Sequence, residues 1–211
     1  MIAAGWAALA DALAVGPGMR ILEVGCGEGG FCALAVIRGA EAAGIDADPH
    51  VVARARQRVP SADLRTGFME ALPWADDSFD AVVGFNAFQY AFDIDLALRE
   101  AARVLRTGGR MGMGKWGQDS ELFRLAVAIG AGRPGALRVQ DPVEEAMRRV
   151  GLEVSERGDL PVELEVPDAG ALAGAVGVTD SAALVEHAEA YRRADGSYRF
   201  AAAVTYLVAA E

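Results

Sequence analysis

The chain has 211 residues, 53% of them hydrophobic, which suits one α/β domain with a full core. Its 20 basic and 30 acidic residues leave a net charge of −10, a balance that disfavours phosphate backbones and anionic membrane surfaces and so argues against a nucleic-acid partner. Cys26 and Cys32 are too few for a disulfide framework or a four-thiolate metal site, no apolar run is long enough to span a bilayer, and Asp11 interrupts the one apolar N-terminal run, against a signal peptide; a reducing cytoplasm is the expected compartment.

Ile2, Trp6, Leu9 and Leu13 recur at helical spacing, so the chain opens on an amphipathic helix ended by Gly16-Pro17-Gly18. Arg20 to Gly30 follows, and the rest of the fold is organised around it. Ile21, Leu22 and Val24 read as a buried strand, Gly25, Gly27 and Gly29 as a turn, and Phe31 to Arg38 as a helix. The stretch satisfies two patterns. G-x-G-x-x-G, through Gly25, Gly27 and Gly30, is a dinucleotide signal, and a turn required only for packing is the plain alternative. E-x-G-x-G-x-G, through Glu23, Gly25, Gly27 and Gly29, puts a carboxylate just before the turn, where it repels a pyrophosphate and attracts an ammonium group.

The second pattern resembles motif I of the class I methyltransferases that use S-adenosylmethionine (SAM), a ligand with an ammonium, a sulfonium, a ribose and an adenine but no phosphate. Ala42 to Asp46 reads as the second strand, and Pro49 to about Arg58 as a helix with Asp48 as its N-cap. Asp46 ends that strand about twenty residues past the turn, where a carboxylate accepts both ribose hydroxyls; both cofactor readings want an acid there.

Ala62 to Thr66 reads as the third strand. Gly67-Phe68-Met69-Glu70-Ala71-Leu72-Pro73-Trp74, then Asp76-Asp77-Ser78-Phe79-Asp80, resembles the G-D-A-E-A-L-P-F and D-x-S-F-D segments of ubiquinone/menaquinone-biosynthesis-type (methyltransferase type 11-like) enzymes. The family's aspartate, which takes a hydrogen bond from the adenine amino group, stands here as Phe68; a phenyl ring cannot accept that bond but can cover the base, while the Met69 N–H still reaches a ring nitrogen. Phe79 to Phe85 is an apolar fourth strand. Asn86-Ala87-Phe88-Gln89-Tyr90 follows, a segment that in the family lines the methionine end of the cofactor and the reaction centre. Asp95 to Arg106 is an amphipathic helix with Leu96, Ala97, Val104 and Leu105 available to its buried side, stopped by Thr107-Gly108-Gly109, and Arg110 to Trp116 is the fifth strand. The run R-V-L-R-T-G-G again resembles the family.

Beyond Gly117 the likeness thins. Helices are expected over Glu121 to Ile129, over Pro142 to Val150 with Asp141 as cap, and from Thr179 or Asp180 to about Arg193. Gly130 to Gly135 reads as a loop, Gly151 to Val166 as a sixth strand broken at Pro161, and Tyr198 to Ala209 as the last strand after an Asp195-Gly196 turn.

The resemblance implies one methyltransferase domain over residues 1–211, with residues 117–196 including substrate-side helices. The fold class is α/β: a Rossmann-like, doubly wound, mostly parallel seven-stranded sheet with an antiparallel last strand. It places SAM against Glu23, Gly25, Cys26, Gly27, Asp46, Ala47, Phe68, Met69 and Asn86, and the methyl acceptor near Gln89, Tyr90, Trp116 and Tyr191. No metal is required. His187 and Tyr90 are the candidates for acid–base work, with a solvated or packed histidine as the plainer reading of His187. The expected activity is methyl transfer to a small, fairly apolar acceptor, to which the arginine-poor segment Ala169 to Val178 is suited. The alternatives are a fold of this type that no longer methylates, acting as a cyclase or binding partner, and a nicotinamide oxidoreductase. Relatives carry more chain before the first strand, often a cap over the substrate; a second subunit is able to supply it, so a homodimer is one assembly the sequence admits.

Overall fold

The computed structural model describes residues 2–116, 121–129, 142–176 and 182–210. In chain order the elements are α1 (Ile2–Ala12), β1 (Arg20–Val24), α2 (Gly30–Ile37), β2 (Glu41–Asp46), α3 (Pro49–Arg58), β3 (Asp63–Thr66), β4 (Phe79–Phe85), α4 (Ile94–Val104), β5 (Leu105–Trp116), α5 (Glu121–Ala128), α6 (Pro142–Arg149), β6 (Glu153–Val166), α7 (Ala169–Val176), α8 (Ala182–Ala188) and β7 (Tyr198–Ala210). The strands form a mixed seven-stranded sheet in the order β3-β2-β1-β4-β5-β7-β6, with the last strand antiparallel. β1 pairs in parallel with β2 on one side and with β4 on the other, with Leu22 opposite Ala43 and Val82. The chain runs outward from β1 to β3, then returns to lay β4 on its far side. That reversal opens a crevice at the carboxyl ends of β1, β2 and β4, where a doubly wound sheet receives ligands.

The described residues fall into two compact units. One holds residues 2–115, 142–158 and 205–210; the other holds 116, 121–129, 159–176 and 182–204. Two apolar clusters fill the first. One is built from Leu22, Val24, Ile45, Phe79, Val82, Phe88, Leu98 and Met111 among others, the second from Leu9, Leu13, Ile21, Phe31, Ala35, Val52 and Val83. The second unit gathers Leu125, Val166, Leu172, Leu184, Tyr198 and Phe200.

Local chemistry explains most element ends. Asp48 accepts a bond from the His50 N–H at 2.8 Å and Pro49 takes the first helical position, so α3 starts where expected. Asp93 caps α4 through the Leu96 N–H at 2.9 Å. This helix departs from the sequence reading in two ways. Its buried stripe is Ala97, Leu98, Ala101 and Val104, which leaves Leu96 exposed. It also ends at Val104, because Leu105 is extended and pairs with Phe79; pairing resumes only at Ala81 with Arg110, so residues 106–109 bulge from the sheet with Gly108 at φ 76°.

Pro161 does not break β6, which runs unbroken through it. β6 is the sheet's edge, where a missing N–H removes no ladder bond on the open side. Residues 169–176, an apolar segment in the sequence, form a helix, and the helix before β7 closes at Ala188 with a short 3₁₀ turn to Tyr191 rather than reaching Arg193. The expected loop at 130–135, the Asp141 cap and the helix start at Thr179 or Asp180 lie outside the described residues.

Gly30 shows how tightly α1 sits on α2. A Cβ there would overlap the Trp6 ring, whereas in an isolated helix alanine is favoured over glycine by about 1 kcal/mol. Overlap with a packed indole outweighs that gain, so Gly30→Ala should cost about 1–3 kcal/mol in urea unfolding. Once Trp6→Ala has removed the ring, the same change should become neutral or stabilising.

Candidate functional site

The turn after β1 is built by two carboxylates. Glu23 sits on a strand buried along its last four residues, and its side chain is only 4% exposed. Its Oε2 accepts the Cys32 N–H at 3.0 Å. Cys32 occupies the third position of α2, and the residue before that helix, Gly29, is left-handed at φ 74° and has no side chain to cap it. Glu23 therefore does from nine residues upstream what an N-cap side chain does locally: it satisfies an orphan donor and places negative charge at the positive end of the helix. The second carboxylate, Asp46 at the end of β2, accepts the Gly27 N–H at 2.8 Å through Oδ2 and the Asp48 N–H at 3.0 Å through Oδ1. The N–H groups of Gly25 and Cys26 both donate to the Ile45 carbonyl, at 2.8 and 2.9 Å. The turn is thus fastened to β2 along its length. At Gly25, with φ 70°, a Cβ would stand 2.6 Å from the Ala87 Cβ, so glycine is required for both conformation and space.

A cleft of about 330 Å³ opens at this edge, within the size range of small-molecule sites. Gly25, Asp46, Ala47, Phe68, Met69, Asn86 and Tyr90, all singled out from sequence, line it together with Ile45, Gly67, Glu70, Ala87, Ala91 and Phe92. Among the described residues its walls carry two carboxylates, Asp46 and Glu70, and no lysine, arginine or histidine. Phe68 and Phe92 meet edge to face at 5.9 Å, and both rings are largely exposed, as is Tyr90. Asn86 holds a left-handed backbone at φ 50°, a conformation that asparagine tolerates better than most residues, and its N–H donates to the Gly114 carbonyl at 2.8 Å. Glu70 braces the opposite wall, with Oε1 accepting the Phe92 N–H at 2.7 Å and the Asp93 N–H at 3.3 Å.

Other expected residues lie elsewhere. Glu23, Cys26 and Gly27 support the turn without lining the cleft. Both thiols are buried and unbridged; burial pushes Cys26 up to about 12 and Cys32 well above its ordinary value, which makes them packing groups rather than reactive thiols. Gln89 borders a separate cavity of about 20 Å³ and reaches Asn86 Oδ1 only at 3.5 Å. Tyr191 and His187 belong to the second unit: Tyr191 packs on Phe200 with ring centroids 4.7 Å apart, and His187 is exposed on α8. The Trp116 backbone ends β5, and its side chain lies outside the described residues. Glu70 and Phe92 join the cleft without a role expected from sequence. Two aromatics, Tyr90 and Phe92, in the segment that follows the end of a buried strand are the signal for the latter.

Residues 22–113 match the sequence family described as a methyltransferase domain. An uncharacterized protein of Mycobacterium tuberculosis is 33% identical over 130 residues, 60% of this chain and 47% of that protein. The malonyl-[acyl-carrier protein] O-methyltransferase of Methylococcus capsulatus is 34% identical over 144 residues, 64% of this chain and 52% of that enzyme. The chain therefore spans about half the length of these curated relatives. The solved structure of a geranyl diphosphate methyltransferase in complex with SAM shares the fold at a TM-score of 0.64 and 21% identity, over 97% of this chain and 84% of that one.

Burial pushes the Glu23 carboxyl up from 4.5 to about 7, against the opposing pull of Cys32. Because the folded value lies above the unfolded one, folding takes up a proton between them. The stability this protonation contributes is complete below pH 4.5 and is lost as pH rises through about 7. Glu23→Gln keeps an acceptor for the Cys32 N–H without the titration. Between those two pH values, the wild type should lose about 3 kcal/mol of unfolding free energy relative to the variant in paired denaturant titrations.

Proposed function

We propose that this chain, a member of the methyltransferase domain family through residues 22–113, binds SAM in the cleft at the ends of β1, β2 and β4 and transfers its methyl group to a small, fairly apolar acceptor. The sign of the cleft carries the reading. Two carboxylates and, among the described lining residues, no cationic side chain suit a ligand with an ammonium and a sulfonium, and oppose the pyrophosphate of a dinucleotide. The nicotinamide alternative, which rested on G-x-G-x-x-G and Asp46, has no such support.

The residues present fit that ligand. Gly27 has open space where a Cβ would stand, so a ligand can approach the turn's backbone. Asp46 has spent one lone pair of each oxygen on a backbone N–H, and the remaining lone pairs are available to two ribose hydroxyls. Phe68, Met69, Ala91 and Phe92 offer an apolar surface for the base, and Asn86 an amide for the amino-acid end. Bound SAM supplies an activated methyl on a sulfonium, transferred by in-line displacement. The protein's own part is to orient the acceptor and exclude water. Tyr90 holds a hydroxyl on the cleft wall and takes the substrate-contact role. The acceptor-side roles of Gln89, Trp116, Tyr191 and His187 rest on the sequence reading. The net charge of −10 favours a small molecule over a phosphate polymer as acceptor.

Isothermal titration tests the cofactor assignment. S-adenosylhomocysteine should bind, and NAD and NADP should not. Asp46→Ala should weaken S-adenosylhomocysteine by about ten-fold or more, the loss of charge-assisted bonds, while retaining a cooperative melt. Tight NADP binding with no response to S-adenosylhomocysteine ends the reading.

A further inference from the structure

We infer that the cleft takes the ligand's base by its face, against the aromatic wall of Phe68 and Phe92, and leaves the exocyclic 6-amino group unread, so that Phe68 supplies affinity for the base without selecting its 6-substituent. This rests on the SAM reading above and goes beyond it to the chemistry of recognition at one end of the site.

Three observations carry the inference. The Phe68 and Phe92 rings are 55% and 89% exposed, in contact with each other at 5.9 Å, and both line the cleft. Large apolar surface held in water beside an open cleft gains free energy when a flat ring covers it, and any purine offers such a ring. Next, each of the two carboxylates on the cleft wall is anchored to backbone away from the Phe68 ring, and the free lone pairs of Asp46 face the ribose end. Asp46 sits at the β2 end, tied to Gly27 and Asp48, and Glu70 is oriented by its Oε1, which takes both the Phe92 and Asp93 N–H groups and braces the loop that carries Phe92; its Oε2 is the acceptor that the deamino comparison below tests. Finally, the two residues beside Phe68 on its loop, Gly67 and Met69, have no polar side-chain atom able to form a conventional hydrogen bond. Stacking reads the face of a base and not its edge, so this end of the cleft discriminates little by substituent at the 6-position.

The test compares S-adenosylhomocysteine with its 6-deamino counterpart, in which purine replaces 6-aminopurine and the ring nitrogens are unchanged. Binding is measured by titration calorimetry on the full chain, with thermal melts to confirm folding of each variant. The two ligands should bind the wild type within about three-fold of one another. Phe68→Ala should weaken both in parallel by about five-fold or more, as the stacking surface is lost. Phe68→Asp should restore an edge acceptor and open a preference of about ten-fold for the amino-bearing ligand. If the deamino ligand binds the wild type about ten-fold or more weakly, another acceptor reads the edge and the inference falls while the SAM assignment stands. Unchanged affinity for both ligands in Phe68→Ala also overturns it. If neither ligand binds the wild type, the SAM assignment itself falls and takes this inference with it.

Discussion

The bond from the Cys32 N–H to the buried carboxylate of Glu23 sets the geometry of everything at the carboxyl edge of the sheet. α2 begins on a left-handed glycine, which lets the chain turn sharply but brings no side-chain cap. An uncapped helix start buried against a sheet would leave a donor without water or partner. Glu23 resolves this from the neighbouring strand. The cost is a carboxylate on a strand with no access to solvent, and it appears as a proton affinity raised to about 7. The helix terminus partly offsets that cost, since its N–H groups favour negative charge. An alanine at position 23 would avoid the desolvation but surrender the cap, and with it the fixed path from Gly25 to Gly29.

Asp46 repeats the device one strand over, with a different outcome. Its oxygens hold the Gly27 N–H and the Asp48 N–H, and Asp48 in turn caps α3 through His50. One short chain of carboxylates thus ties the β1 turn, the end of β2 and the start of α3 together. Glu23 is enclosed and works only on the scaffold. Asp46 is half-buried and borders the cleft, so the same side chain that fixes the turn also faces a ligand. Dual use of this kind couples binding to local order: a ligand that draws on Asp46 pulls on the turn that positions it.

The sheet was largely legible because its strands are short apolar runs between glycine and aspartate punctuation, as at Ile21 to Val24 and Phe79 to Phe85. Helix α3 was legible from two residues, Asp48 and Pro49, whose preferences are local. What escaped was decided by tertiary context. Pro161 reads as a break until its strand is known to be an edge. Leu96 reads as core until the stripe on α4 is seen to fall one position later. At the site, spacing found Asp46 and the residues after β4, but not that Glu23 would turn inward to cap a helix. No pattern distinguishes a carboxylate aimed at a ligand from one aimed at a backbone N–H nine residues on. Phe92 was missed for a related reason: its place in the cleft depends on Glu70 holding a loop more than twenty residues away in sequence.

The cleft's local charge decides more than the charge of the whole chain. A net −10 spread over a surface sets solubility and long-range steering, and is screened within about 10 Å at ordinary salt. Two carboxylates at a cleft edge, with no cation among the described lining residues, act on a ligand at contact distance, where screening is weak. Their distribution then matters. Asp46 keeps lone pairs facing the cleft at the β2 end. Glu70 turns an oxygen toward the backbone of Phe92 and Asp93, and by holding that loop it presents an aromatic ring to the cleft. One end of the site is therefore polar and anionic, and the other offers rings that a half-buried acid keeps in place. A ligand that matches both ends must be cationic or hydroxylated at one extremity and flat and apolar at the other, a far narrower chemical class than a glycine turn alone defines.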